Sequence, residues 1–347
     1  MKKQFKTFKI LFALCFSVFL FYNCKRDEVP ESVDIVEIDL KNALPLAENI
    51  RGINVRLLSD SGFNDFPGKI SKIEWLRDTL VVMDMFKAPG VYLYDTKGKQ
   101  IGSYTKRGNG PEEFINIFDI SVNDEQISIL ENDPDGHIIN LDHNLNFLNK
   151  KKTESQANHF ILTDNGSVWI EKGNGANGND DKLVYYKKGK RNEVLKIPEE
   201  IQDVTFTSYN VFSRVNNDTV LYLPPVENRV YVCYDGQAKV LCEFDFNGLW
   251  PDFSKIEKSD VFTMFRQIHD GGLVHNPLSI FNDGETILFT FFQNDDLYLY
   301  IFNMKDLSSK GFYKLDKASL ENVGSILGIK NGQLIFGEAG KLVYVTI

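Results

Sequence analysis

Residues 78–104 read DTLVVMDMFKAPGVYLYDTKGKQIGSY. A β-branched run follows a turn, a polar loop interrupts it, and an aromatic run GVYLY comes next. The turn DTKGK then leads to a last strand, QIGSY. Such short alternating runs bounded by Asp, Asn and Gly are the pattern of strands rather than helices. The plan recurs at residues 125–148 (EQISILENDPDGHIINLDHNLNFL), 166–197, 218–244, 285–315 and 332–347. The second strands of these units begin near Val91, Ile138, Leu183, Val230, Leu297 and Leu342, at intervals of 47, 45, 47, 67 and 45 residues. One interval holds about 20 extra residues, at 247–272. Four-stranded units repeating every 40–50 residues predict a β-propeller. The fold class is therefore all-β, a single six-bladed β-propeller over residues 33–347.

The sixth unit ends at Ile347 without an outer strand, while VDIVEIDL at 33–40 is an alternating strand with no partner of its own. The expectation is that this N-terminal strand closes the last blade and removes two open edges. A pair of β-sandwiches or a solenoid would leave both features unexplained.

The first residues are MKKQFKTFKILFALCFSVFLFYNC. Lys2, Lys3, Lys6 and Lys9 precede an apolar run at 10–22, about the length of a signal-peptide core and short for a membrane span. Cys24 follows at once. The pattern resembles a bacterial lipoprotein leader, although Phe21-Tyr22-Asn23 is bulkier than the usual run before the cysteine. It implies a signal peptide at 1–23, lipidation of Cys24 and a tether at 24–32. Lys25-Arg26-Asp27-Glu28 resembles the sorting signal that takes lipoproteins to the outer face of the outer membrane.

The chain carries a formal charge of −9, and all four leader lysines are basic, so residues 24–347 carry −13. That field argues against nucleic acid or anionic lipid as a partner. Outside the leader and Cys24, the cysteines are Cys233 and Cys242, on either side of the turn Asp235-Gly236. Two cysteines are no disulfide scaffold. If the loop runs from Asp235 to Ala238, they lie diagonally on one face, and two small buried hydrophobes is the favoured reading over a bridge.

Between QIGSY and the next inner strand FDISVNDEQISI lies RGNGPEEF, 107–114. No Lys-Ser/Thr follows its glycines and no helix begins there, so it is neither a phosphate loop nor a dinucleotide fingerprint. It reads as an inter-blade connection. Gly108 and Gly110 supply backbone freedom, Pro111 fixes the exit and Phe114 plugs between blades. Gly98, Lys99, Arg107, Gly108, Gly110, Pro111, Glu113 and Phe114 together resemble a segment of the six-bladed propeller lipoproteins of Bacteroides and relatives. Glu112 departs from that pattern, where glycine is usual. The resemblance, looser to NHL and TolB-type propellers, extends over the whole chain. It implies the fold and an envelope location, and no particular activity.

For chemistry, Glu131, Glu171 and Glu227 fall in similar places, just after a strand of their units, and are candidate metal ligands on one rim. Glu74, Asn132 and Asp133 are further oxygen donors. Calcium is the cofactor such a site would take; the bland alternative is a set of solvated polar loops. None of the five histidines forms a close ligand pair, and no Gly-x-Ser-x-Gly elbow is present. The excursion at 247–272 has an apolar face, with a short helix capped by Asp260. Trp250, Phe262, Phe265 and Arg266 are its candidate ligand-binding residues, against packing on the neighbouring blades. The leading expectation is a lipid-anchored, non-enzymatic module that binds a glycan, peptide or protein partner at the outer membrane. The alternatives are a divalent-metal-dependent hydrolase or lyase with channel carboxylates, and a scaffold subunit of an outer-membrane complex.

Overall fold

The computed structural model describes residues 33–347 apart from 61, 63–64, 132–135, 154–156, 173–180, 203–207, 209, 258–259, 318, 320–323 and 339; of residues 276–278 only the backbone is described. The leader and Cys24 lie outside the described residues.

Each sequence unit forms one antiparallel sheet, completed by a strand on its inner side. Blade 1 runs Lys72–Leu76, Thr79–Asp84, Gly90–Tyr94 and Gln100–Tyr104 from the axis outward. Blade 2 runs Ile117–Val122, Ile127–Glu131, His137–Leu141 and Phe147–Lys152. Blade 3 runs His159–Leu162, Val168–Glu171, Asp181–Lys187 and Lys190–Lys196. Blade 4 runs Phe212–Arg214, Thr219–Tyr222, Arg229–Tyr234 and Gln237–Asp245. Blade 5 runs Val274–Asn282, Thr286–Gln293, Asp296–Asn303 and Ser309–Leu315. Blade 6 takes Ser325–Lys330, Gln333–Glu338 and Lys341–Thr346 from the C-terminal end. Successive innermost strands touch from blade 1 through blade 6 and back to blade 1, which closes the ring.

The near-continuous apolar runs follow from this arrangement. Successive side chains of a strand point to opposite faces, and in a propeller both faces are covered. Val81, Met83, Val91 and Leu93 pack toward blade 2, whereas Leu80, Val82, Tyr92 and Tyr94 pack toward blade 6. The same division gives a mixed cluster at every other boundary between neighbouring blades.

An N-terminal strand does close blade 6, but it is Gly52–Leu57, antiparallel to Lys341–Thr346. The stretch 33–40 goes elsewhere. Asp34–Glu37 lies on the outer edge of blade 4 beside Gln237–Asp245, and Leu44–Pro45 pairs in parallel with the outer strand of blade 5. The segment thus covers the outer edges of three successive blades. Burial explains the choice: Val36 and Ile38 join Phe244 and Phe246 in the core, whereas Ile53, Val55 and Leu57 of the true closing strand are exposed.

The connection at 107–114 joins blade 1 to blade 2 as expected. Gly108 N–H donates to the Phe114 carbonyl at 3.0 Å, and Gly110 N–H donates to the Glu113 carboxylate at 2.8 Å. A Cβ on Gly108, at φ +155°, would stand 2.1 Å from that carboxylate. Phe114 is fully buried among Leu93, Tyr104, Ile117 and Ile129.

The cysteine geometry differs from expectation. Tyr234 pairs with Gln237, so the loop is only Asp235-Gly236. A bulge then pairs Val230 with Cys242 and turns Cys242 to the opposite face. Cys233 faces blade 3 and Cys242 faces blade 5, both fully buried and too far apart in direction to bridge each other.

Candidate functional site

The three carboxylates proposed as a metal set stand where their strands end on one face of the ring, but each has a different environment. Glu131 is buried, pairs with Lys150 at 2.6 Å and accepts the Ile115 N–H at 2.6 Å. Glu227 pairs with Lys182 at 2.9 Å and accepts the Tyr231 hydroxyl at 3.2 Å. Lys182 is itself fully buried and also donates to the Pro225 carbonyl at 3.0 Å. Glu171 is fully buried, and neither of its oxygens has a hydrogen-bond partner among the described residues. Burial pushes its carboxyl up, with Asp119 adding to the effect and His159 and Lys182 opposing it. Among the described residues no group of three or more His, Cys, Asp or Glu is placed to hold a metal ion. Asn132 and Asp133 lie outside the described residues.

Toward the axis, the inner strands of blades 1 to 3 are tied by charge. Lys72 donates to Asp119 at 2.7 Å and lies 3.7 Å from Glu74, while His159 Nδ1 stands 3.5 Å from Asp119. Burial opposes the Asp119 charge, but Lys72 and His159 hold its carboxyl below the usual range. At the opposite end of the channel, Arg214 donates to the carbonyls of Val122 at 2.6 Å and Leu162 at 2.7 Å. It also pairs with Asp164 at 3.0 Å. The axial cavity these groups leave is about 140 Å³, bordered by Lys72, Glu74, Arg214 and Asn282 among others. That is small for an organic ligand.

The excursion at 247–272 contains helix α1, Val261–Asp270. Asp260 caps it, accepting the N–H groups of Phe262 at 2.8 Å and Thr263 at 2.9 Å. Met264 and Ile268 face inward onto Ile197, Ile201, Val226 and Phe253. Phe262 and Phe265 point outward, 79% and 42% exposed. Trp250 stacks on Phe246 at 5.6 Å and borders a cavity of about 400 Å³ with Glu227, Arg229 and Asp252. Phe262, Phe265 and Arg266 do not line that cavity, so the four candidates do not form one site.

A larger cavity, about 480 Å³, opens where blade 6 meets blade 1. It lies on the face that carries the hairpin turns Arg77-Asp78 and Asn331-Gly332, opposite the face of the excursion. Trp75 and Tyr344 supply its aromatic surface, and Arg56, Arg77, Lys97 and Lys330 its charge. Lys330 Nζ lies 3.3 Å from the centre of the Trp75 ring. The Arg56 guanidinium stands 5.7 Å from the Trp75 ring and 5.3 Å from the Tyr344 ring. Tyr344 is only 9% exposed, and its hydroxyl has no partner among the described residues. Burial, then the neighbouring Arg56, holds the Lys330 ammonium below lysine's usual range. No local motif marks this cavity. Its residues come from both ends of the chain, and only a crowding of Trp75, Arg77 and Asp78 is local.

Residues 65–343 match a family model described as a domain of unknown function, DUF4934. The chain belongs to the DUF4934 family. No curated protein matches. An exported protein of Bacteroides fragilis has a similar crystal structure, with a TM-score of 0.70 at 12% identity over 91% of this DUF4934 chain and 99% of that one. The Myceliophthora thermophila Cps50 (Swd1) β-propeller domain aligns with a TM-score of 0.45 at 12% identity over 81% of this chain and 98% of its own. At such identities the first likeness shows the propeller fold, and the second carries no argument.

Proposed function

We propose that this DUF4934 propeller is a non-enzymatic binding module, attached to the cell envelope through a lipid on Cys24, that takes its ligand between blades 6 and 1. The observation that carries the reading is the cavity of about 480 Å³ faced by Trp75 and Tyr344. Its size falls in the range of small-molecule sites, about 300–1,000 Å³. A rigid ring with a lined depression suits recognition, which is fold-level support for binding. The leader-like run ahead of Cys24 supports this reading, and a Bacteroides fragilis protein of similar fold is itself described as exported.

A thermal-shift panel of short oligosaccharides and peptides tests the site, using the full chain in detergent beside Trp75→Leu. A ligand that raises the midpoint of the wild type and not of the variant supports it. Ligands that shift both proteins alike would move the binding site elsewhere. Labelling cells with a palmitate analogue tests the anchor: the label should be incorporated by the wild type and absent from Cys24→Ala.

A further inference from the structure

The ion pairs elsewhere in the fold make the chemistry of this cavity unusual. In this acidic chain, four inner cations elsewhere pair with carboxylates: Lys72 with Asp119, Lys150 with Glu131, Lys182 with Glu227 and Arg214 with Asp164. Arg56, Arg77, Lys97 and Lys330 border one concave surface whose acidic member is Asp78 alone. None of the four makes an ion pair among the described residues. Asp78 offsets part of the Lys330 charge, but an ammonium partly buried beside a guanidinium with no close ion pair is still unfavourable. A concave surface focuses the resulting positive potential on whatever enters it.

The remaining lining is equally particular. Asn54, Thr96, Asn331 and Gln333 contribute groups that donate and accept hydrogen bonds. Half-buried Trp75 contributes a flat, partly apolar surface beside them, with Tyr344 buried behind Arg56. Hydroxyl-rich rings need both kinds of surface, and an acidic ring would also supply the missing negative charge. We infer that the cavity recognises an acidic saccharide, with its ring against the Trp75 side and its carboxylate among Arg56, Arg77, Lys97 and Lys330. This rests on the binding reading above and adds the ligand class.

The test is calorimetric titration of the full chain in detergent with trigalacturonate, its fully methyl-esterified form and inorganic sulfate. The ester keeps the ring and size and removes the charge. The acid is expected to bind, with affinity falling about tenfold or more on esterification and again at raised salt. Arg56→Gln and Lys97→Gln should each weaken the acid more than the ester, narrowing the difference between the two. Their unfolding midpoints, compared with the wild type, show that the fold is intact. Equal binding of acid and ester, lost in Trp75→Leu, would overturn the acidic preference and leave the binding site standing. Sulfate binding as well as trigalacturonate would reduce the site to a simple anion site and overturn the saccharide assignment. No binding of any of the three would overturn the inference. If the wider panel also yielded no Trp75-dependent ligand, the binding reading would fall with it.

Discussion

Lys330 Nζ lies 3.3 Å from the centre of the Trp75 ring, joining the innermost strand of blade 6 to that of blade 1. A cation over an indole contributes about 0.5–1 kcal/mol when exposed and about 2 kcal/mol when desolvated. Here burial and then Arg56 hold the ammonium below lysine's usual range. Arg56→Gln removes the second cause and leaves the first. The Lys330 pKa should therefore move up toward the ordinary value, as followed by the NMR titration of its side-chain carbon. An unchanged titration would mean that Arg56 has no effect on this ammonium.

The ring closure also depends on a close approach at Gly98. This residue has φ +81°, and a Cβ there would stand 2.1 Å from the Leu57 carbonyl oxygen on the closing strand. Gly166 has nearly the same backbone angle, φ +77°, with nothing near a Cβ. Both alanine variants incur the left-handed strain, but only Gly98→Ala also pushes blade 1 against blade 6. Chemical denaturation should show Gly98→Ala less stable than Gly166→Ala by about 2 kcal/mol. Equal losses in the two variants would remove the close approach as the cause.

Asp119 ties three inner strands through Lys72, His159 and the Phe160 N–H at 3.1 Å. Asp119→Asn leaves the buried Lys72 ammonium only the more distant Glu74 carboxylate, and a loss of about 3 kcal/mol is expected near neutral pH. Because its folded pKa is depressed, this stabilisation is present above the ordinary value of 3.8 and is lost as pH falls through the folded value. The stability gap between wild type and variant should therefore narrow in acid. A gap independent of pH would contradict the ionic account.

Glu171 should behave in the opposite way. Its folded pKa is raised above the ordinary 4.5, so the folded state holds the proton more tightly than the unfolded chain. Stability then falls as pH rises from the ordinary value through the folded one. Glu171→Gln removes this penalty. Thermal unfolding across pH should show a gain in midpoint that is absent in acid and grows toward alkaline pH. A variant less stable than the wild type at every pH would show that the carboxyl has a partner the structure does not assign.

Residues 107–114 show how far local sequence reached. Two glycines, a proline and a terminal phenylalanine were enough to identify a blade connection, because backbone angles and the burial of one ring are short-range requirements. The six-fold repeat was legible for a related reason: every blade must present apolar residues on both faces at period two. The closing strand was not legible by that rule. Ile53, Val55 and Leu57 are apolar yet exposed, while Val36 and Ile38 are buried beside blade 4. Alternation records that a strand exists, and the partner is chosen by which faces remain uncovered once the other blades are in place.

The cysteines make the same point at smaller scale. A single bulge at Val230/Tyr231 places Cys233 and Cys242 on opposite faces, and a bulge leaves no mark in composition. The candidate carboxylates were found at similar positions of their units, but spacing does not say which lysine comes within reach. Lys150 and Lys182 pair with Glu131 and Glu227, which also accept the Ile115 N–H and the Tyr231 hydroxyl, whereas Glu171 has no such partner among the described residues. By itself the sequence determined the repeat, the number of blades, the connection at 107–114 and the helix cap at Asp260, all products of near neighbours along the chain. Only the tertiary structure decided which strand closes the ring and which charges go unpaired. It set Arg56, Trp75 and Lys330 around one cavity because ring closure brings the two ends of the chain together.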